Sequence, residues 1–256
     1  EFVIVSSIPI LLLTVYNGNH QARILESQAK QTLNESSATI ARSLDDYLDR
    51  HRKSIVTLAR VFDDLRADRD KEKTWLEFQH RTYDGFITML ATDAEGNVIA
   101  RHPERRPSGD KIPLDNVSDR AYFKHARDQQ GPFVSDVFLG RGFGTDPIVA
   151  ISCAYFQDGK FAGIVEGSLN LEKFHEVVRP FETDGRVAVL IADANNRVIY
   201  SGPNPVFKPL QVLDQTPLLK AALATGDNSF SYTSGKDEWL SGRAISQYSN
   251  WKIYAQ

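Results

Sequence analysis

The residues with the most chemistry to offer lie between positions 119 and 144. Asp119-Arg120-Ala121-Tyr122-Phe123 comes first, then Ser135-Asp136, then Gly140-Arg141-Gly142-Phe143-Gly144. A guanidinium such as Arg120 presents a planar fork that meets a carboxylate through two parallel hydrogen bonds. Tyr122 and Phe123 bring apolar walls and one phenolic handle. Asp136 has two uses, as a partner for Arg120 or as an acceptor for an ammonium. The same residues also have a purely structural reading, with Asp119 capping a helix and Arg120 closing an ion pair. Spacing alone favours the structural reading.

The glycine-rich run poses a separate question. A loop that cradles phosphate needs a strand before it and a helix N-terminus after it, so that backbone N–H groups converge on the anion. Here Thr145-Asp146-Pro147 follows, and then the β-branched, apolar Ile148-Val149-Ala150-Ile151. A strand follows, not a helix, and no Lys-Ser/Thr pair is present. The run is therefore the tip of a hairpin carrying one cation, Arg141, and one aromatic, Phe143. It serves either as a plain surface loop or as a lid.

Other chemistries find little footing. The six histidines show no metal-ligand spacing of the His-Glu-x-x-His kind, and Ser152 lacks the glycines of a nucleophile elbow. No catalytic residue, metal or cofactor is expected. The lone Cys153 excludes an intrachain disulfide and a cysteine zinc cluster, and its apolar neighbours suit core packing. A net charge of -3, with no basic stripe interleaved with aromatics, argues against nucleic acid.

The elements that must position these residues are legible in outline. Glu1 to Tyr16 is nearly free of charge but shorter than the ~20 residues that cross a bilayer. With no initiating methionine, it is expected to be a truncated transmembrane segment (1–17). From His20 to Asp68 there is no proline or glycine. Ala41, Leu44, Leu48, His51, Ile55, Leu58, Phe62 and Leu65 form an apolar seam broken only by His51, as on one long helix (18–69). A rod of ~45 residues rises about 70 Å. Part of its seam is accordingly expected to pack on a second copy, giving a parallel homodimer.

An internal repeat then divides the remainder. ITMLATDAEGNVIARHP (87–103) aligns without gaps with VAVLIADANNRVIYSGP (187–203). Each copy reads as a hairpin with an Asp/Asn/Gly turn, followed by a short helix and a three-strand meander. The class is α+β: a long helix and two tandem antiparallel-sheet lobes, 70–183 and 184–256.

The run DRAYFKHA…GPFVSDVFLGRGFGTDPIVAISCAYFQDGKFAGIVEG, with the duplication around it, resembles a double Cache domain. Domains of that family are tandem PAS-like sensor modules of bacterial transmembrane receptors. The resemblance implies a location at the inner membrane, with this part in the periplasm or outside the cell, held by flanking spans. It implies that the first lobe is membrane-distal and binds a small molecule, and that a cytoplasmic output follows. A sensor histidine kinase is the expected output, with a diguanylate cyclase or a chemoreceptor as alternatives. A ligand-free dimerisation or partner-binding ectodomain is a further alternative. Amino-acid-binding members carry an Arg-x-Trp-Tyr motif, to which Arg120-Ala121-Tyr122-Phe123 is similar, and a strand aspartate that matches Asp136. A last carboxylate position falls on Ser168. The implied ligand site is Arg120, Tyr122, Phe123, Asp136, Phe138, Arg141, Ser152 and Ser168. With a hydroxyl at 168 the amine end is weakened, and a small carboxylate or other anion is expected in preference to a free α-amino acid.

Overall fold

The computed structural model describes residues 2–65, 68–113, 115–141, 143–182, 187–202 and 207–256, with the side chains of 2–15 and 19 excepted. A single helix, α1 (Phe2–Leu65), runs the length of the molecule. At 1.5 Å per residue it extends about 96 Å, longer than the seam alone requires. Its seam is buried from Ile40 to Phe62. The covering surfaces are the sheets of the chain's own two lobes, against which α1 lies along strands of both. The stripe from residue 40 onward therefore needs no second copy to cover it. Tyr16, Ile24 and Leu25, nearer the N-terminus, remain exposed. Among the described residues no helix is long and apolar enough to cross a membrane. The expected span at 1–17 falls largely on residues whose side chains lie outside the described set.

His51 sits in this seam as a buried polar residue. Its Nδ1 lies 2.8 Å from the Tyr47 carbonyl oxygen, and its ring packs between Tyr47 and Phe86. Burial lowers its pKa, so the neutral ring is favoured. A second helix, α2 (Arg69–Thr82), was not legible as such in the sequence. Asp68 caps it by accepting from the Lys71 N–H, and it packs on α1 and on the first hairpin.

The repeat is real in three dimensions. In the first lobe, termed distal below after its expected position, β1 (Phe86–Thr92) and β2 (Val98–His102) form the hairpin, and α3 (Ala121–Gln129) follows. Then come β3 (Phe133–Val134), β4 (Phe138–Leu139), β5 (Pro147–Gln157) and β6 (Lys160–Leu169). The spatial order is β2-β1-β6-β5-β3, with β4 also on β5. A 3-10 turn (Leu171–Lys173) and α4 (Phe174–Glu182) lead to the proximal lobe. There β7 (Val189–Ala192), β8 (Val198–Ser201), α5 (Pro217–Ala224), β9 (Ser229–Ser234), β10 (Asp237–Ile245) and β11 (Lys252–Ala255) repeat the plan. Their order is β8-β7-β11-β10-β9, the same path.

The turns repeat to the level of single hydrogen bonds. Asp93 Oδ1 accepts from the N–H groups of Glu95 and Asn97, and Asp193 Oδ1 accepts from those of Asn195 and Arg197. Gly96 and Asn196 take the positive φ that each tight turn demands. Residues 183–186 and 203–206, including Pro203 of the repeat and the turn after α4, lie outside the described residues.

Candidate functional site

The alternation of β1, β5 and β6 sorts the distal sheet into two faces. Met89, Ala91, Val165, Leu169, Val149, Ile151 and Cys153 point to the α1 side and join the main core. Burial pushes the Cys153 thiol up to about 11, so it stays a neutral packing group. Thr88, Leu90, Glu166, Ser168, Arg101 and Ile148 point the other way, under α3 and the glycine hairpin. Cross-strand register aligns four of the residues on this face into one row, Arg101–Leu90–Glu166–Ser152. Arg101 and Glu166 are thus two strands apart, about 10 Å at the backbone, flanking Leu90.

Above this row lies a cavity of about 50 Å³. That is room for roughly four waters, so the occupant is small unless the lid moves. Arg101, Arg120, Tyr122, Phe138, Arg141, Phe143, Asp146, Glu166 and Ser168 contribute to its walls. Glu166 is 1% exposed; its Oε1 accepts from the Ser168 hydroxyl at 2.8 Å, and its Oε2 has no partner. Arg101 is 7% exposed, and its Nε is likewise unpartnered. A buried polar group without a partner costs on the order of 1–3 kcal/mol, more when charged. Both residues contribute to the walls of one cavity, and each holds a buried polar atom that an ordered water or a polar ligand would satisfy.

Arg120 completes the set. It occupies the N-cap position of α3 yet makes no capping hydrogen bond. Its counterpart Thr216 caps α5 by accepting from the Leu219 N–H. An N-cap hydroxyl is worth about 1 kcal/mol, and α3 forgoes it. The guanidinium instead lies 5.3 Å from the centre of the Phe138 ring, and no ion pair fixes it among the described residues. The structural alternative, with Asp119 as cap and Arg120 in an ion pair, does not hold.

Asp119 is bound elsewhere. Arg141 donates to both its carboxylate oxygens, at 2.5 and 2.9 Å, and to the Asn116 carbonyl at 2.8 Å. That fork holds the Asp119 carboxyl below its usual range. The glycine hairpin is thereby latched over the cavity mouth: Phe138 pairs with Ile148, Leu139 pairs with Pro147, and the Gly140 N–H donates to the Asp146 carbonyl. Gly142 lies outside the described residues. The hairpin joins two strands, as its sequence requires.

Three of the residues named from sequence lie outside the cavity. Phe123 is buried in the small core beneath α3, edge-on to Phe161. Ser152 is in the row, but its hydroxyl donates to the Tyr122 carbonyl at 2.8 Å, so α3 covers it. Asp136 is turned toward the proximal lobe, where its Oδ2 accepts from Asn195 Nδ2 at 2.5 Å. The cause is the break between β3 and β4. Ser135 bonds β5 through its backbone and hydroxyl, while the Val137 N–H reaches across to Asp193 Oδ2. Arg120, Tyr122, Phe138, Arg141 and Ser168 do line the cavity.

Arg101 and Glu166 were missed in the sequence. The signal for Glu166 was available, since it lies two residues before Ser168 and therefore on the same face of its strand. It carries the carboxyl that Ser168 lacks. Burial drives its pKa up to about 8, against the Ser168 hydrogen bond and the Arg101 and Arg120 charges, which pull it down. Burial likewise lowers the pKa of Arg101.

Fold and site together define a two-lobed PAS-like sensor module with a small cavity in one lobe. The chain belongs to the Cache domain family, whose profile matches residues 21–256. Its two lobes make it a double Cache domain. No curated protein sequence matches it. Among solved structures it is similar to the ligand-binding domain of the Campylobacter jejuni chemoreceptor Tlp3 in complex with 4-methylisoleucine. That match has 15% identity and a TM-score of 0.73, over 91% of this chain and 92% of that one. The ligand-binding domain of the Pseudomonas fluorescens chemoreceptor CtaA in complex with L-alanine is similar at 16% identity and TM-score 0.72, over 89% and 96% of the two chains. An extracellular ligand binding receptor from Desulfohalobium retbaense matches at 14% identity and TM-score 0.68, over 88% of this chain and 40% of that one.

Proposed function

We propose that this chain is the extracytoplasmic sensor of a transmembrane receptor, and that its distal cavity binds a small amino acid. The observation that carries this reading is that Arg101, Arg120 and Glu166 line one cavity with no ion pair fixing any of them among the described residues, and with Arg101 Nε and Glu166 Oε2 unpartnered. The arginines suit a carboxylate and Glu166 suits an ammonium, while Tyr122, Phe138 and Leu90 leave an apolar wall for a short side chain. The expectation of a carboxylate without an amine rested on the hydroxyl at Ser168, and Glu166 removes that reason. The complexes of Tlp3 with 4-methylisoleucine and of CtaA with L-alanine show that the fold accommodates such ligands. The small volume of the cavity favours the smaller one.

The receptor would signal as a parallel homodimer through α1, anchored by flanking membrane spans. The proposed output is a histidine kinase, with a chemoreceptor as the second reading because the similar solved domains come from chemoreceptors. A ligand can bias such an output only by its differential affinity for two states, commonly ~1–3 kcal/mol. The test is a thermal-shift screen of the chain with the twenty amino acids, acetate and propionate, against wild type and Arg120→Ala. A small amino acid that raises the wild-type melting temperature, and not that of the variant, supports the reading. If all the compounds leave wild type unmoved, the reading is wrong.

A further inference from the structure

The unpartnered half of Glu166 has a consequence for how the site responds to its surroundings. Its side chain is buried against the wall of the cavity, its Oε1 receives one hydrogen bond from Ser168, and its Oε2 has no partner among the described residues. The charged and titratable groups that line the same cavity are Arg101 on β2, Arg120 before α3, Tyr122 on α3, Asp115 in the preceding loop, and Arg141 and Asp146 on the hairpin. Arg141 is occupied by Asp119, and neither Arg101 nor Arg120 comes within ion-pair distance of Glu166 among the described residues. β1 contributes only Ile87, Thr88 and Leu90 to the walls, and β5 only Ile148. An isolated carboxyl in such a place keeps its proton, because a buried charge without a close counter-charge is strongly disfavoured.

We propose that binding of an amino acid in the distal cavity displaces a proton from Glu166, so that the sensor reports ligand and external pH together. In the empty site Glu166 is a neutral acid. When a ligand ammonium is set against Oε2, a full positive charge arrives within hydrogen-bond distance, and the carboxylate becomes the better partner. The acid releases its proton to solvent, the ligand keeps its own three, and the pair is neutral as a whole. Arg101 and Arg120 then face the ligand carboxylate. The proposal rests on the amino-acid reading above. The direction follows from linkage: binding that releases a proton is opposed by acid, so affinity falls as pH drops below the point where the empty site loses its proton. Burial places that point at about 8, which puts the sensitive window across neutrality.

The experiment has two arms, both on the intact chain. In the first, L-alanine and propionate are titrated calorimetrically at pH 6.5, 7.5 and 8.5, in phosphate and in Tris. L-alanine should release close to one proton at pH 6.5 and far less at pH 8.5, with affinity rising up to about tenfold per pH unit before levelling. Propionate, which lacks the ammonium, should release none, and Glu166→Gln should bind L-alanine with no proton release. Equal affinity and equal heats for L-alanine at all three pH values would overturn the proton coupling and leave the amino-acid site standing.

The second arm needs no ligand. Carbon-13 labelling of glutamate side chains in the empty protein, with Glu166→Gln to assign the signal, should show one carboxyl titrating far above the rest. A Glu166 carboxyl that titrates with the ordinary glutamates would overturn the proposal whether or not any amino acid binds.

Discussion

The two lobes share one strand order and one turn chemistry, yet among the described residues it is the distal row that carries buried ionisable side chains beside a cavity. The difference is concentrated in a single row of the sheet. Where the distal lobe sets Arg101, Leu90, Glu166 and Ser152 side by side, the same register in the proximal lobe sets Ser201, Leu190, Tyr254 and Arg243. Tyr254 is 1% exposed and packs with Leu190, Leu218, Leu219 and Phe230, filling the volume that the distal lobe leaves open. Arg243 is satisfied by the carbonyls of Ala222 and Asp227. Above the row, Arg120 and Tyr122 on the distal side stand where Thr216 and Leu218 cap and pack α5 on the proximal side. The sheet is a carrier common to both lobes, and the distal cavity lies where ionisable residues take the places of packing ones.

That contrast predicts a pH effect confined to the distal row, the largest expected here. The Glu166 carboxyl is raised above its unfolded value, so its burial costs nothing below the unfolded pKa. Stability is then lost as pH rises from about 4.5 to about 8, and is flat beyond. The full loss is on the order of 3–5 kcal/mol as an upper bound. Denaturant melts from pH 5 to 8.5 should show wild type weakening relative to Glu166→Gln. Tyr254, pushed up to about 12 by burial, keeps the proximal row silent over that range. Parallel pH profiles for the two proteins would contradict the assignment.

Next in size is the effect of the arginines on binding. Arg120→Ala should weaken amino-acid binding by ~2–4 kcal/mol, the scale for removing one partner of a buried charge contact. The empty protein should melt within a few degrees of wild type, because the Arg120 side chain makes no capping bond and no ion pair among the described residues. Asp136→Asn, outside the cavity, should leave binding nearly unchanged in the same calorimetric assay. If the two variants behaved alike, the cavity would be misassigned.

A third test compares how each sheet receives its neighbour. A Cβ at Gly242 would lie 2.2 Å from the backbone of Leu33 on α1, whereas one at Gly167 would meet the Phe86 ring at 2.5 Å. A helix backbone has nowhere to retreat, while a ring can rotate. Gly242→Ala should therefore cost more than Gly167→Ala, with overpacking of ~1–3 kcal/mol setting the scale. Chemical denaturation of both variants checks the order.

The smallest effect belongs to the latch. The Arg141–Asp119 pair is largely solvent-exposed, so Arg141→Ala should change stability by less than ~1 kcal/mol. Its effect should appear in kinetics, as faster ligand release in a stopped-flow displacement assay. Unchanged release would reduce the hairpin to a plain surface loop.

Much of this architecture was legible before any coordinates. The repeat at 87–103 and 187–203 carried its own hairpin turns, because Asp93 and Asp193 cap tight turns by purely local hydrogen bonds. The strand after Gly144 excluded a phosphate loop. The resemblance implied eight site residues, of which Arg120, Tyr122, Phe138, Arg141 and Ser168 line the cavity and Phe123, Asp136 and Ser152 do not. The helix α2 was not legible. Its short, highly polar stretch has a weak periodicity, and its position depends on packing against α1 and β2.

By itself the sequence determined what depends on near neighbours: the helical seam, the turns, the α+β repeat and the hairpin tip. Tertiary structure decided which side chains share a row. Period two assigns Glu166 and Ser168 to one face of β6. Only the pairing of β6 with β1, and of β1 with β2, brings Arg101 and Glu166 over the same cavity. The same applies to Asp136, which the break between β3 and β4 turns away to Asn195 in the other lobe. Strand register between segments some seventy residues apart is set by the burial of whole faces, not by local propensity.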